Sequence, residues 1–159
     1  KRTGCDTVVV SESPESGSVA SILVPIAGGE HSGAAVDVAS AVAAATGAWL
    51  ELVHVLEPSD ARLSRPEATA LLEAGAARVP DTVDVDTRII DDDDVTSEII
   101  EQSGYHDVTV IGAPQKGRLR RFVFGSTTAT IREEAPNTVA MARKGSDPER
   151  SLFAGPLDR

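Results

Sequence analysis

Four things are scarce in this sequence. It has one cysteine, Cys5, so no disulfide can form within the chain, which fits a reducing compartment. Aromatic residues make up only 3%, so a core has to be assembled from Ala, Val, Ile and Leu. Lysine occurs only at Lys1, Lys116 and Lys144. No apolar run approaches the roughly 20 residues that span a bilayer, and there is no secretory signal pattern. A cytoplasmic location is therefore expected.

The 159 residues, 41% of them hydrophobic, suffice for one domain with a full core. Asp and Glu number 25 against 15 Lys and Arg, a formal net charge of -10. That balance argues against a general nucleic-acid or anionic-membrane surface. The Asp-rich, Lys-poor, Ala- and Val-rich composition points to a high-salt (halophilic) cytosol, where strong charge keeps proteins soluble.

Strand and helix patterns alternate along the chain. Residues 22–26 (ILVPI) read as a short apolar strand. Residues 33–46 read as an Ala-rich helix ended by Gly47. Residues 49–56 (WLELVHVL) form the next strand, and 57–63 a polar connection. Ser64 and Glu67 have capping-box spacing with Pro66 in the first turn, opening a helix through Arg78. Residues 83–90 are a third strand, and Asp94 caps a helix ending near Gly104. Residues 108–111 form a fourth strand, 126–134 a helix and 137–142 (NTVAMA) a last strand. Strands separated by helices imply βαβ units, an open five-stranded parallel sheet of Rossmann-like type, and helices on both faces. Ligands of such sheets sit at the carboxyl ends of the strands. Both glycine loops, 27–29 and 112–125, fall at that end.

Residues 108–127, VTVIGAPQKGRLRRFVFGST, carry the clearest chemical signal. A strand breaks at Gly112, a loop carries Lys116, Arg118, Arg120 and Arg121, and Gly125, Ser126 and Thr127 open a helix. Free N–H groups at a helix start, a favourable dipole and glycines without Cβ suit a phosphate. The plainer alternative is a loop whose basic residues make surface ion pairs, each worth about 0–1 kcal/mol. Phe122 and Phe124 read as core or interface residues, not the interleaved aromatics of a polynucleotide site.

These residues resemble the universal stress protein family, whose nucleotide binders carry Gly, two residues, Gly, nine residues, Gly, then Ser or Thr. Gly112, Gly125 and Ser126 match; the middle glycine falls on Gln115, with Gly117 two residues on. The opening ILVPIAGGEHS (22–32) is similar to the family's first strand and loop, with Ala27 where its ATP binders usually have Asp. The resemblance covers roughly residues 20–145. It implies strand order 3-2-1-4-5, a homodimer through the last strand, and a stress-response role without enzyme turnover beyond weak ATPase activity. The implied ligand is ATP or AMP, ATP with Mg²⁺. Gly112, Gln115, Gly117, Gly125, Ser126 and Thr127 would hold its phosphates, and Ile26, Ala27 and Val55 would line the base and ribose pocket. Gln115 could itself donate to a phosphate oxygen. A nucleotide-free interaction module is the competing reading, favoured by Ala27 and Gln115. An ATP pyrophosphatase is a remoter one. Residues 27–32 (AGGEHS) resemble that enzyme class's Ser-Gly-Gly-x-Asp-Ser loop but lack its first Ser and its Asp.

The start of the chain holds a second signal. Gly4-Cys5-Asp6-Thr7-Val8-Val9-Val10 matches Ala135-Pro136-Asn137-Thr138-Val139-Ala140-Met141 in type: a small residue, Asp or Asn, Thr-Val, then an apolar run. Residues 1–10 are thus expected to be the last strand of an upstream repeat, 11–21 a linker, 22–143 the domain and 144–159 a polar tail. The arrangement resembles the paired stress-protein domains attached to some prokaryotic amino-acid transporters. It implies a tandem pseudo-dimer, with a membrane transporter in cis and this chain on its cytoplasmic side. Without the upstream copy, the apolar last strand would be an exposed edge needing a partner.

Asp91 to Asp94 could bind a divalent cation, but without the spacing of a calcium loop they read better as helix N-terminal charge. His31, His54 and His106 lack ligand spacing; His54 reads as packed or hydrogen-bonded, and His106 as surface. No nucleophile motif or acid–base pair is present.

Overall fold

The computed structural model describes residues 6–12, 17–60, 62–114 and 124–145. In chain order the elements are β1 (Thr7–Ser11), β2 (Ser21–Pro25), α1 (Glu30–Thr46), β3 (Trp49–Leu56), α2 (Arg65–Ala76), β4 (Val85–Asp91), α3 (Val95–Ser103), β5 (Val108–Gly112), α4 (Phe124–Glu134) and β6 (Thr138–Arg143). They form one sheet in the order β1-β6-β5-β2-β3-β4. The five strands from β2 to β6 are parallel to their neighbours, and β1 runs antiparallel to β6.

The expectation of five parallel strands is therefore corrected. The sheet has six strands and is mixed, because residues 7–11 lie along β6 of the same chain. The β6 edge, expected to pair with a second subunit or with an upstream copy, is covered by residues 7–11, which belong to the segment expected to be the last strand of that copy.

Both sheet faces are covered, and the strands show it by alternation. Ile22, Val24, Leu50, Leu52, Val110, Ala140 and Ala142 join residues of α1 and α2 in one core cluster. Leu23, Val53, Val55, Ile111 and Val139 join Ile99 of α3 and Ile131 of α4 in the other. Two buried faces explain why these strands are apolar almost throughout. The face of α1 that meets the sheet is built from Ala34, Ala35, Ala39 and Ala43, all buried. Small side chains let the helix lie close to the strands, which is how a core with few aromatics closes.

The helix ends follow local chemistry. The Ser64 side chain accepts from Glu67 N, and the Glu67 carboxylate accepts from Ser64 N at 2.7 Å, a complete capping box with Pro in the first turn. Asp94 caps α3 by accepting from Ser97 N at 3.0 Å. Gly47 ends α1 at φ 79°, its N–H on Ala43 O at 2.8 Å. The helix starts earlier than its Ala-rich stretch suggests, directly after Gly29. Likewise α4 starts at Phe124, which places Gly125 and Ser126 inside its first turn. Among the described residues no helix is long and apolar enough to cross a membrane.

The end of β5 touches α1 backbone to backbone. A Cβ on Gly112 would lie 2.8 Å from both C and O of His31 and 2.9 Å from Ser32 N. Those atoms belong to a helix turn and cannot rotate away. Gly112→Ala should therefore destabilise the fold by about 1–3 kcal/mol, the usual range for overpacking, as read by urea denaturation. A variant as stable as the parent would show that β5 and α1 can separate freely.

Candidate functional site

The connection from β2 passes through α1 to β3 on one side, while β5 pairs with the other side of β2. Chain direction across the sheet thus reverses between β2 and β5, which leaves a crevice at their carboxyl ends. Gly28 and Gly29, at φ 101° and 85°, form the turn from β2 into α1. The Ser32 hydroxyl closes this turn, accepting from Gly28 N and donating to Gly28 O, each at 3.1 Å. His31 Nδ1 accepts from Lys144 N at 3.0 Å, tying the end of β6 to the same helix turn. On β3, His54 Nδ1 lies 2.7 Å from Ile26 O, so the buried ring holds the carbonyl at the exit of β2.

The predicted site residues divide into three groups. Gly112 packs on His31 and Ser32, the same helix turn whose Ser32 hydroxyl closes the turn at Gly28, and Ala27 beside it is exposed. Ile26 and Val55 are 4% and 8% exposed and lie in opposite core clusters, so they form the floor of the strand ends. Thr127 lies on α4 with its hydroxyl 3.2 Å from that of Thr96, in the first turn of α3. Gly125 and Ser126 share the first turn of α4 with Thr127. Gln115, Gly117, Lys116, Arg118, Arg120 and Arg121 lie outside the described residues, as does Phe122. The glycine at 112 is needed for the packing of β5 on α1, a role that its spacing in the motif does not reveal.

The carboxyl ends of β3 and β4 are acidic, and most of the carboxylates there have partners. Asp91 is paired with Arg65. Asp92 Oδ1 accepts from Asp94 N at 2.7 Å. Asp93 Oδ1 accepts from Ser59 N at 2.9 Å and from its hydroxyl at 2.8 Å. The Ser59 backbone N–H and then its hydroxyl hold Asp93 below the ordinary value, and Ser97 does the same for Asp94. Glu57 goes the other way, raised first by burial and then by nearby Asp60. Among the described residues, no three His, Cys, Asp or Glu side chains converge as a metal-binding set. The run from Asp91 to Asp94 serves the loop ends and the α3 cap. Ser32, the one hydroxyl of the pyrophosphatase-like loop, is engaged with its own turn.

His106 is not at the surface as its sequence position suggests. It is buried, with Nδ1 2.9 Å from Gln102 O and Nε2 2.8 Å from Glu51 Oε2. Arg88 pairs with the other oxygen of Glu51 and donates to Gln102. The Trp49 ring lies over His106 at a centroid distance of 5.7 Å. This network sits under α3, toward the amino ends of the strands. Glu at position 51, inside an apolar strand, is the one sequence signal for it. A cavity of about 400 Å³ lined by Trp49, Asp84, Val85 and Asp86 opens at the same end, away from the glycine loops.

A family model described as the universal stress protein family matches residues 19–143, and the chain belongs to that family. No curated protein matches it. Among solved structures, a universal stress protein in complex with cAMP is 20% identical at TM-score 0.66, covering 81% of this chain and 100% of its own. The Archaeoglobus fulgidus universal stress protein in complex with dAMP is 17% identical at TM-score 0.61, covering 79% and 98%. An Arabidopsis thaliana family protein with AMP bound is 14% identical at TM-score 0.57, covering 80% and 94%. At these identities the likeness is one of fold.

Asp94→Ala should lower the denaturation midpoint at neutral pH. The lowered carboxylate stabilises the folded state fully above the ordinary Asp value of 3.8, and that contribution is lost as pH falls through the lower folded value. The gap between variant and parent should therefore close in acid. A gap undiminished by acid would show that the cap acts without its charge.

Proposed function

We propose that this chain is a stress-response regulatory domain that binds an adenine nucleotide, ATP or AMP, at the loops after β2 and β5. The observation that carries this reading is the packing of Gly112 on the helix turn that follows Gly28-Gly29, at the reversal point of the sheet, where α/β sheets take ligands. Family membership and the cAMP-, dAMP- and AMP-bound relatives support it. Gly112, Gln115, Gly117, Gly125, Ser126 and Thr127 would face the phosphates, with Ile26, Ala27 and Val55 beneath base and ribose. Glu57 and Asp91 to Asp94 make the carboxyl ends of β3 and β4 acidic, so a triphosphate at that end of the sheet would need its own counter-charge. Mg²⁺ bound to ATP supplies this, aided by the basic residues between 116 and 121. The role is binding, with at most weak ATP hydrolysis.

Ala27 favours a second reading, a nucleotide-free interaction module, because it offers no acceptor where the family's ATP binders usually have Asp. In either case the chain would act in the cytoplasm of a high-salt cell, as the second half of a tandem pair attached to an amino-acid transporter. The internal match between residues 4–10 and 135–141 supports the tandem arrangement.

The test is calorimetric titration of ATP with Mg²⁺ at high salt. The parent should bind in the micromolar range, and Gly125→Val should bind nothing while keeping its circular dichroism and melting temperature. Ala27→Asp should tighten binding about tenfold, as one added hydrogen bond to a carboxylate of roughly 1.5 kcal/mol would do. No heat from either the folded parent or Ala27→Asp would leave the interaction module as the function.

A further inference from the structure

The amino ends of β3 and β4 carry groups that neither the core nor the nucleotide site uses. Trp49, the single tryptophan of the chain, opens β3 and is 37% exposed. Its ring is tilted by 50° against that of buried His106, which fixes one side of it. Glu51 is the register partner of Asp86, so their side chains leave the same face of the sheet. Residues two apart on a strand also share a face, which brings Trp49 and Asp84 to that face, one step nearer the strand starts. Leu50 N donates to Asp84 O at 2.9 Å and holds the two strands together there. Trp49, Asp84 and Asp86 line the cavity of about 400 Å³, together with Val85.

The charges on this face divide into two sets. Glu51 has Arg88 on one oxygen and His106 on the other. Arg88 is in turn engaged by Glu51 and Gln102. Asp84 and Asp86 are exposed, and among the described residues no side chain pairs with either carboxylate. A cavity with an aromatic wall and two carboxylates without counter-charge suits a cation, and the walls select its shape. A metal ion would make no use of the ring, and no third His, Cys, Asp or Glu of the described residues converges with these two. A quaternary ammonium would use the ring but has no N–H for the carboxylates. A guanidinium does both, since it is planar, stacks on an aromatic face and donates through five N–H groups in its plane. The cavity volume lies within the range of small-molecule sites.

We propose that the cavity at the amino ends of β3 and β4 binds a small guanidino compound of about the size of arginine, its cation stacked on Trp49 and hydrogen-bonded to Asp84 and Asp86. The site lies at the opposite end of the sheet from the glycine turns. It is independent of the nucleotide site, so a failed ATP titration would leave it standing.

Trp49 is the only indole in the chain, so its fluorescence reports on this cavity directly. The full chain is titrated at constant ionic strength with L-argininamide and, as a control of equal charge, with L-lysinamide. Argininamide should change the emission saturably and shift the single indole N–H resonance with the same midpoint. Lysinamide should bind about tenfold more weakly, because an ammonium lacks the planar fork. Asp84→Asn combined with Asp86→Asn should weaken argininamide binding by about tenfold or more, as the loss of charge-assisted hydrogen bonds does. Circular dichroism should be unchanged, since both side chains are exposed. A tripeptide with arginine between two glycines should bind more weakly than argininamide; tighter binding of the peptide would overturn the assignment to a small molecule. Quenching that never saturates, equal responses to the two amides, or undiminished binding by the folded double variant would overturn the site itself. If the double variant loses its circular dichroism, Asp84→Asn and Asp86→Asn are tested singly, each with weaker binding as the expected result.

Discussion

The contact between Gly112 and the first turn of α1 is the constraint on which the rest of this structure depends. It brings two backbones within a distance that no side chain permits. With β5 seated there, the turn through Gly28 and Gly29 is confined between β2 and β5, and the crevice at their carboxyl ends takes its shape. His31, in the same helix turn, receives the N–H of Lys144 and so carries the constraint to the end of β6. The small residues of α1 extend it along the sheet, because a helix that starts this close has no room for larger ones.

Charge is distributed by the same geometry. The chain is strongly acidic, and the carboxylates from Asp91 to Asp94 are taken up by backbone N–H groups, by hydroxyls and by Arg65. They order the loops around the strand ends. Glu57, raised by burial and by Asp60, shows the cost of gathering negative charge there. Buried Glu51 and His106, with the exposed Arg88, lie toward the other end of the sheet, under α3, where they link β3, β4 and the entry to β5. The two ends of the sheet thus differ, with the glycine turns and hydrogen-bonded carboxylates at the carboxyl ends of the parallel strands and the Glu51, Arg88 and His106 network at the other.

The edges of the sheet complete this division. A strand as apolar as β6 cannot remain unpaired in water without inviting association. This chain meets that demand with its own residues 7–11. The price is a new edge whose valines are poorly covered, so the problem is moved outward by one strand.

Much of the fold was legible in the sequence. The strand–helix alternation, the capping box at Ser64, the cap at Asp94 and the stop at Gly47 are local, and local hydrogen bonding decides them. The candidate site was legible in part: Gly spacing places Gly112 and Gly125 at a strand end and a helix start. Spacing does not show that Gly112 is required by α1, since the clashing atoms lie some eighty positions earlier in the chain. Nor does it show that Ile26 and Val55 belong to opposite cores, that His106 is buried against Glu51, or that β1 closes the β6 edge. The sequence by itself determined the elements, their order along the chain and the family, because these rest on periodicity, caps and motifs within short windows. Tertiary structure alone decided which distant backbones touch, which charges are buried and which edge is covered, because those outcomes depend on packing between segments whose separation in sequence carries no signal.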